Sequence, residues 1–399
     1  MKGGQSPKTG NGRLASVSTG TGIVSLLANM AYEVPTALMP AFFVTALGAG
    51  PLALGVIEGV RDALSGPGRF AGGSFTADPA RRRGLIAGSY SGTAILSSLI
   101  GVVSAVWQVG MLRGLAAILQ GFHSSFPHAD LNAAAPGRAG HDLRFSRAME
   151  LLGIVIGPLV ALVLAGLAGI RVAILVSVIP GMLAAFLSLY SIRRLPRPAG
   201  DGRGRMQLQM RSVMRSSLRP LLLAVAAFEL GNIALTLLIL RATDLLLPLY
   251  GEEAAIQIAI ALYALSRAVT AAVSVPAGRT TGRRSISVLS LGAVMFALAF
   301  AGFALTGPGL VVLAGCFIAA GVGVGCAEIS QQAVLSIAPS AVRASAIGAL
   351  VAIQSGGKLA ASALCGGLWA ALAPSVGFLY ASLMMAISCT GLLLSRRRV

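Results

Sequence analysis

The stretch ISVLSLGAVMFALAFAGFALTGPGLVVLAGCFIAAGVGVGC, residues 286–326, carries no charged side chain. Thr306, Gly307, Pro308 and Gly309 divide it with turn-forming residues. On either side of that turn lies an apolar run of about 20 residues, the length a helix needs to cross a bilayer. Only helices and closed barrels satisfy their backbone polar groups in hydrocarbon. The stretch therefore reads as two membrane-spanning helices, 286–305 and 309–333.

Outward from this pair the same reading recurs. Toward the N-terminus it gives spans near 22–47, 52–76, 84–106, 108–134, 146–169 and 171–191, then 220–247 and 254–277. Toward the C-terminus it gives 342–371 and 374–394. That makes roughly twelve spans at about 20 residues each. Composition agrees. Of 399 residues, 56% are apolar and only 11% charged, with a mean hydropathy of +0.83. A soluble domain carries roughly 25% charged residues, so an ordinary cytosolic enzyme and a disordered chain are both excluded.

The net charge of +18 alone would suit a nucleic-acid binder. Its placement says otherwise. With the N-terminus inside, the inner loops collect Lys2, Lys8, Arg13, Arg81–Arg83, Arg138, Arg144, Arg147 and the arginines between Arg193 and Arg219. They also collect Arg279, Arg283, Arg284, Arg343 and Arg396–Arg398, whereas the outer side holds Arg171 with Asp244, Glu252 and Glu253. This is the positive-inside pattern. It predicts an even number of spans, both termini cytoplasmic, and contact with anionic lipid headgroups rather than nucleic acid. The first residues lack the apolar stretch of a secretory signal.

The basic turn at Arg81–Arg83 is echoed at Arg283 and Arg284, as in a transporter built from repeats. The predicted organisation is a cytoplasmic tail (1–21), a six-helix bundle (22–192), a basic linker (193–219) and a second six-helix bundle (220–399). Cys316, Cys326, Cys365 and Cys389 lie within spans without metal-ligand spacing and read as small apolar residues. His123, His128 and Asp130 form a weak candidate metal group. The plainer reading is polar residues at a helix end. No metal and no cofactor are expected.

Ionisable groups inside a membrane cost several kcal/mol and so face a partner or a wet cavity. Here they are Glu33, Glu58, Arg61, Asp62, Arg113, Glu150, Glu229, Arg241, Arg267, Glu328 and Lys358. Glu58 and Asp62 are one turn apart on one helix face. Either one is protonated or a cation such as Arg61 or Arg113 lies beside them. The two readings, a structural charge network and a proton-coupling site, both remain open. Glu33 precedes Pro35 and Pro40; Glu229 precedes Gly231 and Asn232; Glu328 follows Gly321, Gly323 and Gly325. Lys358 either pairs with a carboxylate, Glu328 first, or snorkels toward a helix end.

These residues resemble those of the major facilitator superfamily along nearly the whole chain. More narrowly they are similar to a branch of prokaryotic permeases. The matching features are Glu33, Met39–Pro40 and LGVIEGVRD ending at Asp62. Further on they are AFELGNIALTLLILRA with Phe228, Gly231, Asn232, Arg241 and Ala242, then Glu328 and GGLW at Gly366–Trp369. The resemblance implies an all-α integral membrane protein of twelve transmembrane helices in two pseudo-symmetric six-helix bundles. The superfamily's loop after the second helix, G-x-L-A-D-R-x-G-R-R, is matched at Asp78, Arg82 and Arg83, while Ser74 and Arg81 replace its glycines. The resemblance assigns these residues, with Arg283 and Arg284 of PAGRTTGRRS, to an inner gate. GIVIGP, with Gly153, Gly157 and Pro158, resembles the start of an antiporter motif and tilts the expectation toward efflux. The fourth span departs from the branch, because Gln120 and His123 replace expected basic residues.

The expected function is a secondary transporter in the inner (plasma) membrane. It would move a small-molecule substrate with protons, as a monomer, by alternating access around a midplane site. The candidate cavity residues are Glu33, Glu58, Asp62, Arg113, Glu150, Glu229, Asn232, Glu328 and Lys358. No G-x-x-x-x-G-K-[ST] loop is present to bind a nucleotide. A membrane enzyme lacks H-E-x-x-H or G-x-S-x-G chemistry here, and a transport-inactive sensor or scaffold is the remaining alternative.

Overall fold

The computed structural model describes residues 8–75, 79–124, 139–192, 219–307, 309–334 and 343–396. All regular structure among them is helical. Helix α1 spans Lys8–Leu47, α2 Pro51–Phe75, α3 Pro79–Leu99 and α4 Val106–Ser124. Helix α5 spans Ala139–Ala168, and α6 comprises Ile170–Val176 continued by Val178–Ile192. Helix α7 comprises Arg219–Gly231 and Leu235–Tyr250. A long helical stretch, Glu252–Leu305, bends at Arg284 (φ −131°, ψ 26°) into α8, Glu252–Thr280, and α9, Arg284–Leu305. Then follow α10 Leu310–Val334, α11 Arg343–Ala371 and α12 Pro374–Arg396.

Among the described residues, nine helices are long and apolar enough to cross a membrane. Helices α2, α4 and α11 are less apolar, because they carry Glu58, Arg61, Asp62, Arg113 and Lys358. Helix α2 packs against both α4 and α11. The outer surface is the inverse of a soluble protein's. Val163, Phe186, Leu298, Val311 and Leu383 are all well exposed, an apolar coat that suits lipid rather than water.

Several boundaries differ from the sequence reading, among them the start of the fifth span, read at 146 and found at Ala139. Helix α1 starts at Lys8, so part of the polar tail expected at 1–21 is helical. It runs on through Pro35 and Pro40 without a break. The fourth span, read as 108–134, ends as a described helix at Ser124. The seventh, read as one span, is interrupted at Asn232–Ala234.

Glycines set how closely the helices approach. A Cβ on Gly55 of α2 would collide with the carbonyl of Ser362 on α11, and one on Gly366 of α11 with the carbonyl of Pro51. Gly153 of α5 sits against the Leu26 carbonyl, and Gly157 against Glu33. Between α8 and α10, Gly321 meets the Ser266 carbonyl. Helices without side chains at the crossing bring their backbones close, the usual device where no hydrophobic effect drives association. Phe228, Phe296 and Phe300 pack ring against ring within the core, edge-on and then stacked, as do Phe317, Phe303, Phe378 and Trp369, edge-on, stacked and tilted in turn.

Candidate functional site

Glu33 lies at mid-helix in α1 and is buried. Its two oxygens are taken by α8. Tyr263 Oη donates to Oε2 at 2.7 Å and Arg267 Nη2 to Oε1 at 2.8 Å. Tyr263 and Arg267 are four apart and so share one face. Arg267 Nε also donates to Tyr263 Oη at 2.8 Å, with the guanidinium 5.0 Å from the tyrosine ring centre. A buried carboxylate with both oxygens engaged is the arrangement that offsets its desolvation.

Glu58 on α2 is fully buried between two arginines. Arg113 Nε of α4 donates to Oε1 and Arg61 Nη1 to Oε2, each at 2.9 Å. Arg113 Nη2 donates to Thr36 Oγ1 at 2.9 Å. Arg61 Nη2 lies 3.4 Å from Asp62 Oδ1. Both cations named from the sequence are therefore present beside the carboxylate pair. The Tyr32 ring lies under both guanidinium groups, at 4.9 and 5.6 Å.

Glu229 lies in the last turn of the first segment of α7. It accepts from Asn232 Nδ2 at 3.0 Å and from Gln331 Nε2 of α10 at 2.6 Å. Gln331 Oε1 in turn accepts from Gln354 Nε2 of α11 at 2.7 Å. The break in α7 frees backbone groups, and the Ala234 N–H donates to Ser362 Oγ at 3.0 Å. Unwound backbone at membrane depth persists where it lines a cavity or is buried in protein.

Arg147, assigned from the sequence to a cytoplasmic loop, lies in α5. Its two terminal nitrogens reach Glu150 at 2.8 Å and Glu328 of α10 at 2.9 Å. The expected Lys358–Glu328 pair is not formed, because Glu328 is held by Arg147. Lys358 is half-buried in the middle of α11, facing the cavities rather than snorkelling from a helix end. It makes no ion pair with any described residue, although its charge is felt at Glu229.

These clusters surround two adjoining cavities of about 190 and 340 Å³. Arg61, Asp62, Arg267, Glu328 and Lys358 wall both. Glu58 and Asn232 line the smaller cavity, and Glu33 and Glu150 the larger. Arg113 and Glu229 lie behind the walls, each gripping a lining side chain. The helices contributing walls come from both sides of residues 193–218.

Other expected residues fall elsewhere. Asp78 is outside the described residues, as are the side chains of Arg82, Arg83 and Arg283; Arg284 is exposed at the bend between α8 and α9. Gly153, Gly157 and Pro158 lie where α5 packs on α1. The exception is His123, which borders the larger cavity, buried and stacked on Tyr90 with ring centres 4.0 Å apart, while His128 and Asp130 are outside the described residues. Among the described residues no group of His, Cys, Asp and Glu is placed to hold a metal. Arg241 donates to the Phe303 carbonyl at 3.3 Å, away from both cavities.

Tyr263, Gln331, Gln354, Thr36 and Arg147 are not among the cavity residues expected from sequence, and Arg267 is expected there only as a buried charge. Tyr263 has one readable signal, its position one turn before that charge.

Comparison with known proteins agrees with this architecture. An uncharacterised MFS-type transporter from Methanocaldococcus jannaschii is 26% identical over 382 residues, covering 94% of this chain and 92% of its own. Among solved structures, a bacterial homologue of the human lysosomal transporter Spinster, inward-facing and occupied, superposes with a TM-score of 0.72 at 16% identity. It covers 99% of this chain and 98% of its own. The nucleoside transporter NupG gives 0.70 at 15% identity, with 96% and 99% covered. A POT-family transporter bound to a thioalcohol-conjugated peptide gives 0.73 at 14%, with 95% and 96% covered. At these identities the likeness is one of fold. The family profile matches residues 21–362, and with that match over most of its length the chain belongs to the Major Facilitator Superfamily.

Proposed function

We propose that this membrane transporter is a proton-coupled secondary transporter of a small organic solute, with efflux favoured over uptake. One observation carries the reading. The paired cavities are walled by helices from both sides of residues 193–218 and surrounded by buried carboxylates that hold arginines. A rocking transporter binds its substrate at such an interface, and carboxylates at membrane depth mark proton relays.

The arrangement is that of twelve spans in two six-helix bundles, 22–192 and 220–399, with both termini cytoplasmic in the inner membrane. The helix contacts support the duplication. Helix α2 packs along α11, and α5 along the stretch that begins with α8. A shift of six helices exchanges these two contacts. Glu33, Glu58, Asp62, Glu150, Asn232, Glu328 and Lys358 serve the cavity from its walls and Arg113 and Glu229 from behind them, and Glu33 and Asp62 are the proton-exchanging candidates. Asp78, Arg82, Arg83, Arg283 and Arg284 serve the inner gate. The close seat of Gly157 on the Cβ of Glu33 supports the antiporter assignment, since a movement of α5 bears on the stem of that side chain. The protein acts as a monomer.

The test is reconstitution into vesicles with an imposed pH gradient, a trapped pH-sensitive dye and a panel of anionic, neutral and cationic solutes. Solute-dependent proton movement that falls with Glu33→Gln and Asp62→Asn is expected. Solute movement without proton movement overturns the coupling. No movement of any solute overturns transport.

A further inference from the structure

Deepening that reading of the same cavity, and resting on it, we propose that the cavity takes an amphipathic organic anion. Its negative group docks on Lys358 and its apolar body lies against Phe296.

The charges around the cavity carry this. Arg61 is spent on Glu58 and Asp62, Arg147 on Glu150 and Glu328, and Arg267 on Glu33. Behind the wall, Arg113 is spent on Glu58. Arg69, at the edge of the larger cavity, is engaged as well. Each carboxylate is likewise occupied, Glu229 by two amide donors. Lys358 has no carboxylate of a described residue within ion-pair distance, and it faces both cavities. A negative group on the ligand gives Lys358 the direct partner that no wall carboxylate supplies, while the wall carboxylates already hold their own donors.

The rest of the wall describes the ligand's body. Ile233, Leu235, Phe296, Val324 and Ala327 make one side of the smaller cavity apolar, with Asn232 and Gln331 beside them. The volume of about 190 Å³ suits one ring or a short chain. The break in α7 lays Asn232, Ile233 and Ala234 along this wall, so ligand binding bears on the irregular segment of the helix. Gly357 permits the placement. A Cβ there would collide with Glu229, so α11 seats directly on α7 and brings Lys358 beside the break.

The test is thermal unfolding of the purified protein in detergent with a matched set: benzoate, benzenesulfonate, benzamide and benzamidine. The two anions are expected to raise the melting temperature, benzamide and benzamidine not. Lys358→Met is expected to raise the anion concentration needed by about tenfold or more, the scale of a lost charge-assisted contact. Lys358→Arg should restore most of the response, which separates a charge role from a packing one. Equal shifts across the set, a preference for benzamidine, no shift from any member, or an unchanged response in Lys358→Met overturns the proposal. Vesicle transport of a neutral or cationic solute that is insensitive to Lys358→Met overturns it too, while leaving the transporter reading intact.

Discussion

Removing the carboxylate of Glu33 leaves Arg267 half of a broken pair. The Tyr263 hydroxyl, which donates to one carboxylate oxygen, retains an acceptor in Glu33→Gln, but the ionic contact of Arg267 at 2.8 Å is gone. Stranding one member of a buried pair costs about 3–5 kcal/mol. We expect Glu33→Gln and Arg267→Gln each to lower the unfolding temperature by several degrees, and the double variant to lose clearly less than their sum. Additive losses would mean that the two side chains do not support one another. This pair also shows what the sequence can and cannot disclose. Glu33 stands out because a carboxylate in an apolar run is conspicuous in any fold. Arg267 stands out in the same way, but the pairing does not, because the two are 234 residues apart and the contact exists only once α8 packs near α1. The expected pairing of Glu328 with Lys358 fails for the same reason. Arg147, 181 residues from Glu328, reads as a loop charge in the sequence, and only helix packing brings it there.

Helices were more legible than their irregularities. Hydropathy is local, so the apolar runs of α9 and α10 and the turn between them follow from composition and span length. The interruption of α7 does not. It depends on Asn232 turning back to Glu229 and on Ser362, 128 residues away, taking the Ala234 N–H. A side chain of α11 thus stabilises a break in α7. Helix α5 gives the sharper test. Gly157 has no room for a Cβ beside Glu33, whereas Gly88 of α3 faces open space. Gly157→Val is expected to push α5 from α1, lower the unfolding temperature and abolish solute-coupled proton movement. Gly88→Val, the same chemical change on another helix, should leave both near wild type. Equal effects from the two would show that side-chain volume at the α1–α5 crossing is not what matters.

At the scale of the molecule, the cavities and the glycine contacts imply a direction of opening. The larger cavity includes Ser25, Asn29, Arg69, Gln120 and Arg147, residues toward the ends of helices that charge asymmetry assigns to the cytoplasm. The tight α2–α11 crossing at Gly55, Ser362, Pro51 and Gly366 lies toward the other end of those helices. With the proposed cytoplasmic termini, the access route opens inward and the α2–α11 crossing closes the outer side. Cysteine labelling with a membrane-impermeant maleimide checks this once the endogenous cysteines are replaced. Asn232→Cys, on the cavity wall, is expected to label from the cytoplasmic side of oriented vesicles and only weakly from the outer side. Adding Gly55→Leu places a bulky side chain where the Ser362 carbonyl now sits, so the outer closure cannot form. Outer-side labelling of Asn232→Cys should then rise severalfold and transport should fall, because a carrier that cannot close one side cannot complete its cycle. Unchanged outer labelling with Gly55→Leu would mean that the α2–α11 crossing is not the closure. Labelling from the outer side alone in its absence would reverse the assigned orientation of the whole chain.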